Sequence, residues 1–119
     1  MFKRFFDCDK WDKPWYRDLT PGEKCAWEYI TSKCDNVGVW IPDYKGADFA
    51  IGENIDWAGF VAKCNGNIEI MANGKWWIVD FCRFQHKDLA EGSKSKPIMS
   101  YIELLKSHGL WEAFNKKPI

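Results

Sequence analysis

The chain has 119 residues and a mass of 14.0 kDa, a length that predicts one domain. Hydrophobic residues make up 46% of the chain and charged residues 29%, and these fractions exclude a disordered or collagen-like protein. The 17 basic side chains balance 17 acidic ones, which excludes a protein that binds nucleic acid through bulk positive charge. Aromatic residues, at 17%, predict a compact core rich in rings.

The cysteines are odd in number, five in all, and no two of them form a CxxC pair. Disulfide frameworks use even sets, so we expect reduced thiols and a cytoplasmic protein. With only two histidines, His86 and His108, and no close pair of ligands, the sequence predicts no metal site and no other cofactor. It contains no apolar run of about 18 residues, so we expect no membrane partner.

Capping signals mark three helices in the first half of the chain. Thr20–Glu23 is a capping box with proline at the first helical position, and it predicts a helix over Pro21–Cys34. Asp43 is placed to cap a second helix that ends at Gly52, and Asp56 is placed to cap a third. The apolar stripe of this third helix is Trp57, Phe60, Val61 and Cys64.

Strand signals come from β-branched and aromatic runs. Val37–Ile41 predicts a short strand, and Ile68–Ala72 and Lys75–Val79 flank Asn73-Gly74, the strongest short signal for a hairpin with a two-residue type I′ turn. Such a turn sets Ala72 opposite Lys75, Met71 opposite Trp76, Ile70 opposite Trp77 and Ile68 opposite Val79. One face then carries Ile68, Ile70, Trp77 and Val79 toward the core, and the other carries Glu69, Met71, Trp76 and Ile78, half exposed.

The remainder of the chain divides into a loop and a helix. The small polar stretch 89–96 predicts the loop, and a helical stripe predicts a helix over 97–109. His108 suits the negative end of this helix, and Gly109 ends it. We therefore predict a single domain over 1–119, with its core over about 5–88.

The predicted order is helix, strand, two helices joined by a tight turn, hairpin and helix. This order is typical of a winged helix-turn-helix, a mainly α, α+β fold with a small β-sheet, here with an extra short helical turn predicted over Asp12–Leu19 and an extra helix over 97–109. In DNA-binding members the second helix of the pair lies in the major groove. Winged helices also bind proteins, so the fold leaves both functions open.

Five segments in order resemble the start of phage replisome-organiser proteins and cover about residues 5–110. They are Phe6–Trp15, Leu19–Lys24, Gly38–Trp40, Lys75–Gln85 and Ser107–Leu110. The chain thus resembles the N-terminal winged-helix domain of DnaD-like replication initiators. The resemblance implies DNA replication, binding of origin DNA and replisome partners, in a bacterial host or encoded by a prophage. Such proteins usually continue into a linker and a second domain, whose roles are not carried over to this chain.

The helix Asp56–Cys64 would be the recognition helix of that fold. Its solvent face carries Ala58, Gly59, Ala62 and Lys63, and it lacks the forked donors of Arg, Asn or Gln that read bases. We therefore expect little sequence-specific readout. Lys63 either contacts DNA or is solvated on a structural helix.

The strongest electrostatic candidates lie between residues 83 and 96. They belong to residues 61–119, which hold 9 basic and 6 acidic side chains. We predict that three or four of them contact phosphates, the alternative being a solvated loop with scattered lysines. Lys75 at the hairpin tip is placed for another phosphate. The candidates are Arg83, Gln85, His86, Lys87, Lys94 and Lys96.

Trp76 lies beside the hairpin tip and has two interpretations. Exposed opposite Met71, it would stack on unpaired bases, or it would join Met71 and Ile78 in a face that binds a second copy or a replisome protein. In the alternative, Trp76 packs against a helix that covers the hairpin.

No catalytic residue is predicted. His86 and His108 have no Ser, Cys or carboxylate at a recognisable motif spacing, and the sequence contains no phosphate-binding glycine loop and no HExxH motif. We expect a non-enzymatic module that binds double-stranded DNA weakly, mainly through phosphates. The alternative is a module for self-association or replisome docking that makes no direct contact with DNA.

Overall fold

A computed structural model describes residues 3–87, 89–90 and 92–116, so parts of the predicted loop and of the predicted domain ends lie outside the described residues. A short 3-10 helix spans Cys8–Asp12. The helices are α1 (Pro14–Arg17), α2 (Pro21–Lys33), α3 (Tyr44–Ile51), α4 (Trp57–Lys63), α5 (Phe81–Gln85), α6 (Lys96–Ser107) and α7 (Trp111–Lys116). The strands are β1 (Val39–Trp40), β2 (Ile68–Ile70) and β3 (Trp76–Ile78). None of the described helices is long and apolar enough to cross a membrane.

The predicted starts of α2, α3 and α4 are confirmed by their capping contacts, whereas Asp12 does not cap α1. The Thr20 hydroxyl accepts the Glu23 N–H at 3.1 Å, and the Glu23 carboxylate accepts the Thr20 N–H at 2.9 Å. The carboxylates of Asp43 and Asp56 each accept an N–H three residues ahead. At the far end of α3, Gly52 adopts φ +95°, which suits glycine. Helices α5 and α7 were not predicted.

The sheet is antiparallel with the order β1-β3-β2, and together with the helices it confirms the mainly α, α+β class. β3 is the central strand, and both of its faces are covered by helices. One face packs against α2, α3 and α4, and the other packs against α6 and α7. The residues of the first face include Trp40, Ile68, Trp76 and Ile78, and those of the second include Val39, Trp77 and Val79.

The predicted register of the hairpin is wrong by one residue. The observed partners are Ile68 with Ile78, Glu69 with Trp77 and Ile70 with Trp76. The loop has three residues, because the Met71 N–H donates to the Lys75 carbonyl and the Gly74 N–H donates to the Met71 carbonyl. Gly74 has φ +85°, but Asn73 lacks the positive φ that a type I′ turn requires. A left-handed glycine therefore forms a bulge at the end of the loop.

The one-residue slip moves Trp76 to the face opposite the one predicted for it. Trp76 is only 2% exposed, and its ring contacts those of Trp40, Trp57 and Phe60. The expected exposure of Trp76 is thus wrong, and the alternative of packing against helices is confirmed. Ile78 is buried on the same face, whereas Met71 packs in the cluster on the other side of the sheet. The predicted partner face of Met71, Trp76 and Ile78 therefore does not form.

Candidate nucleic-acid interface

Two of the predicted phosphate contacts are used inside the protein. Arg83 donates from Nη2 to the Phe114 carbonyl at 2.6 Å, and its guanidinium lies 4.2 Å from the centre of the Phe114 ring. Gln85 exchanges two hydrogen bonds with the backbone of Phe5, at 2.7 and 2.9 Å. Arg83 therefore joins α5 to α7, and Gln85 holds the N-terminal segment. Neither side chain is aimed at an external ligand, in contrast to the prediction.

The sequence indicated that His86 extends the basic surface, but in the structure its ring makes contacts within the protein. Its Nε2 atom lies 2.8 Å from the Asn36 carbonyl, and its ring stacks on Tyr101 with 3.8 Å between the ring centres. Burial is the largest effect and lowers the pKa of His86; the Asn36 hydrogen bond raises it by less, and the nearby Arg4 guanidinium lowers it a little further. The imidazole is therefore neutral at pH 7.

Three lysines of the same stretch remain directed to solvent. Lys87, Lys94 and Lys96 are exposed, and none forms an ion pair with another residue in the part of the chain that the structure describes. Lys75 at the hairpin tip is half exposed. These four ammonium groups are the members of the predicted set that can reach a phosphate without breaking a contact in the fold.

The face of α4 is poorly suited to DNA. Ala58 and Ala62 are exposed, as predicted, but Nζ of Lys63 lies 2.9 Å from Oε1 of Glu23. Burial raises the pKa of Glu23, but the Thr20 N–H and the Lys63 ammonium together lower it more, so this carboxylate stays charged and keeps Lys63 paired. Residues 42–63 hold four acidic and two basic side chains. This charge balance repels a phosphate backbone.

Several large apolar side chains are instead exposed to solvent on α3, after β1 and on β2. Phe49 on α3 is 90% exposed and Ile41 after β1 is 69% exposed. Tyr44 and Ile70 are exposed to a smaller extent. Exposed apolar side chains in an acidic setting favour a protein contact over a DNA contact on this side of the molecule.

Residues 3–7, here called the N-terminal strap, form a site that the sequence analysis missed. Arg4 donates to the carbonyls of Thr31, Ser32 and Cys34 at 3.0, 2.9 and 2.7 Å, which ties the strap to the C-terminus of α2. Phe5 and Phe6 follow and are 73% and 54% exposed. The signal in the sequence was a pair of cations, Lys3-Arg4, directly followed by two aromatic rings.

Two cavities open beside the strap and together form a cleft. The first has a volume of about 460 Å³ and reaches α1 and α2, and the second has about 450 Å³ and reaches the start of α6. Both volumes lie in the range of ligand-binding pockets. The second cavity is lined by Phe5, Phe6, Phe84, Gln85, His86, Lys87 and Ile98, so it adjoins the solvent-directed Lys87.

The buried thiols offer no nucleophile. Burial raises the pKa of Cys34, Cys64 and Cys82 to about 12, so these thiols are protonated at neutral pH. Among the described residues there is also no group of three or more side chains that could hold a metal ion. The other two cysteines, Cys8 and Cys25, are exposed free thiols.

Comparisons with known proteins identify no relative, so the function is inferred from the geometry described above. No protein-family model matches the chain, and neither a curated protein nor a solved structure matches it.

Proposed function

We propose that the chain is a DNA-binding winged-helix module of a phage-type replication initiator. The order α2-β1-α3-α4-β2-β3 supports the winged-helix part of the proposal, as does a sheet in which the second strand of the hairpin pairs with β1. The resemblance to replisome organisers supports the replication setting. The module acts by binding and not by catalysis.

The observation that carries this proposal is the exposure of Lys87, Lys94 and Lys96 without ion pairs to other described residues. Contacts to phosphates release counterions and are independent of sequence. Three such contacts predict weak binding and a slope of about −2.7 for the logarithm of affinity against the logarithm of salt concentration. The solvent face of α4 carries Ala58 and Ala62 and adds no base readout.

The test is the fluorescence anisotropy of a labelled random-sequence duplex, titrated at about 50 and 200 mM salt. We expect Lys87→Glu to weaken binding at low salt and to reduce the magnitude of the salt slope by about 0.9 or more. Lys45→Glu on α3 changes the net charge equally and serves as the matched control. Equal effects of the two variants would show that the lysines of residues 87–96 are not the DNA-binding surface.

A second candidate function is a protein-interaction module, which the exposure of Phe49 and Ile41 favours. Self-association would appear as concentration-dependent sedimentation that Phe49→Ser abolishes. Phe49 is the residue to change because Trp76 is buried, and its replacement would unfold the core. A monomer at every concentration would exclude the self-association form of this function.

A further inference from the structure

We infer that the cleft beside the N-terminal strap binds single-stranded DNA, with bases stacked on its phenylalanine rings and a phosphate on Lys87. The inference rests on the proposed function, since both use Lys87. The inference goes further in two ways that the proposed function leaves unspecified. It assigns the ligand as an unpaired strand of DNA, and it assigns the stacking residues as Phe5, Phe6 and Phe84.

The rings of the strap are held out to solvent on an anchored backbone. Phe5 is 73% exposed while its N–H and carbonyl are both bonded to the Gln85 side chain. Its neighbour Arg4 is bonded to three carbonyls at the end of α2. Phe6 is 54% exposed, and the Lys10 ammonium lies 3.6 Å from the centre of its ring. Because the backbone that carries these rings is already anchored, a base can stack on them without first ordering the strap.

The walls of the second cavity match a nucleotide in shape and in charge. Of its lining side chains in the described part of the chain, three are phenylalanines and Ile98 is the one aliphatic. A planar ring is complementary to the planar face of any base. Among the described residues that line this cavity there is no carboxylate, His86 is neutral, and Lys87 carries the charge. This composition attracts a phosphate and offers no partner to a basic peptide.

The first cavity extends the same surface along the strap. It adds the rings of Trp15, Trp27 and Phe81. Two of its carboxylates are already paired, since Asp7 lies 3.5 Å from Lys13 and Glu28 pairs with Lys10. Phe5 and Phe6 thus line both cavities, and two of the three described acidic side chains of the first cavity are paired with its own lysines.

The test compares a labelled oligothymidylate with a duplex of the same length, by anisotropy at about 50 mM salt. We expect the single strand to bind more tightly than the duplex. Phe5→Ala should lower the affinity for the single strand by at least about fivefold, the lower end of the contribution of one stacked base, and should change that for the duplex by less than about twofold. Phe5→Trp keeps an aromatic face at an exposed position and should retain the affinity of the parent. Circular dichroism of both variants checks that the fold is unchanged.

The outcomes separate this inference from the proposed function. If Phe5→Ala leaves single-strand affinity unchanged while Lys87→Glu weakens duplex binding, the stacking site is wrong and the phosphate surface stands. If neither nucleic acid binds at low salt, both fail. Self-association that depends on Phe5 would instead assign the cleft to a second copy of the chain and overturn the inference.

Discussion

The Nε2 atom of His108 lies 2.7 Å from the Oδ2 atom of Asp35, across 73 residues of sequence. The other oxygen of Asp35, Oδ1, accepts the N–H groups of Val37 and Val39, both at 3.0 Å. His108 ends α6, and Asp35 begins the turn that leads into β1. One carboxylate therefore shapes the turn before the edge strand and fastens the C-terminal helices to it.

Replacing Asp35 by alanine should lower the free energy of unfolding by about 1–3 kcal/mol, because it leaves two backbone donors and a histidine without their acceptor. Urea denaturation measures the change. Asp12→Ala removes an exposed carboxylate and serves as the control, with an expected effect within about 0.5 kcal/mol. Equal unfolding free energies for the two variants would contradict this role of Asp35.

Gly38→Ala and Gly74→Ala should differ in their effect on stability, although both glycines have a left-handed φ, +95° and +85°. Either substitution costs about 1–2 kcal/mol for the backbone conformation alone. At Gly38 an added Cβ would also lie 2.8 Å from Cβ of Phe81 and 2.9 Å from the Ile78 carbonyl, whereas at Gly74 it would meet open space. Thermal unfolding should therefore show a clearly larger loss for Gly38→Ala. A similar loss of stability in both variants would mean that α5 moves away from the added Cβ without lowering stability.

Folding stability should fall as the pH drops below about 6.5, the ordinary pKa of histidine. Burial lowers the pKa of His86 in the folded state, so the unfolded chain binds more protons over the range between the two pKa values. The contribution of His86 is therefore complete above pH 6.5 and is lost on acidification. His86→Gln keeps a donor for the Asn36 carbonyl and removes the titration. Urea denaturation at about pH 7.5 and 5.5 should show a smaller loss for His86→Gln than for the parent, and identical losses would refute the assignment.

Arg4→Ala should destabilise the protein by about 1–2 kcal/mol, because the guanidinium caps three carbonyls near the end of α2. Arg4→Lys should fall between alanine and the parent, since an ammonium cannot reproduce the planar fork. Lys3→Ala is the neighbouring control, at an exposed position. Chemical denaturation of the three variants is the measurement. If Arg4→Ala were as stable as Lys3→Ala, the strap would not contribute to folding.

The helix boundaries were predictable because their causes are local. Thr20 and Glu23 bond to each other across three residues, and Asp43 and Asp56 reach amides three residues ahead. Such contacts depend on neighbouring residues and on little else, so the pattern of residue types is enough to predict them. The mainly α, α+β class follows from the same local signals.

The hairpin register and the availability of the site residues depend on distant partners. β3 is buried on both faces, so its run of apolar residues contains no alternation that could indicate which face Trp76 takes. Arg83, Gln85 and His86 have the composition of a phosphate-binding stretch. Their partners lie 31, 80 and 50 residues away in the sequence. Folding brings those partners within hydrogen-bond distance, and by this it engages half of the predicted stretch in contacts within the protein.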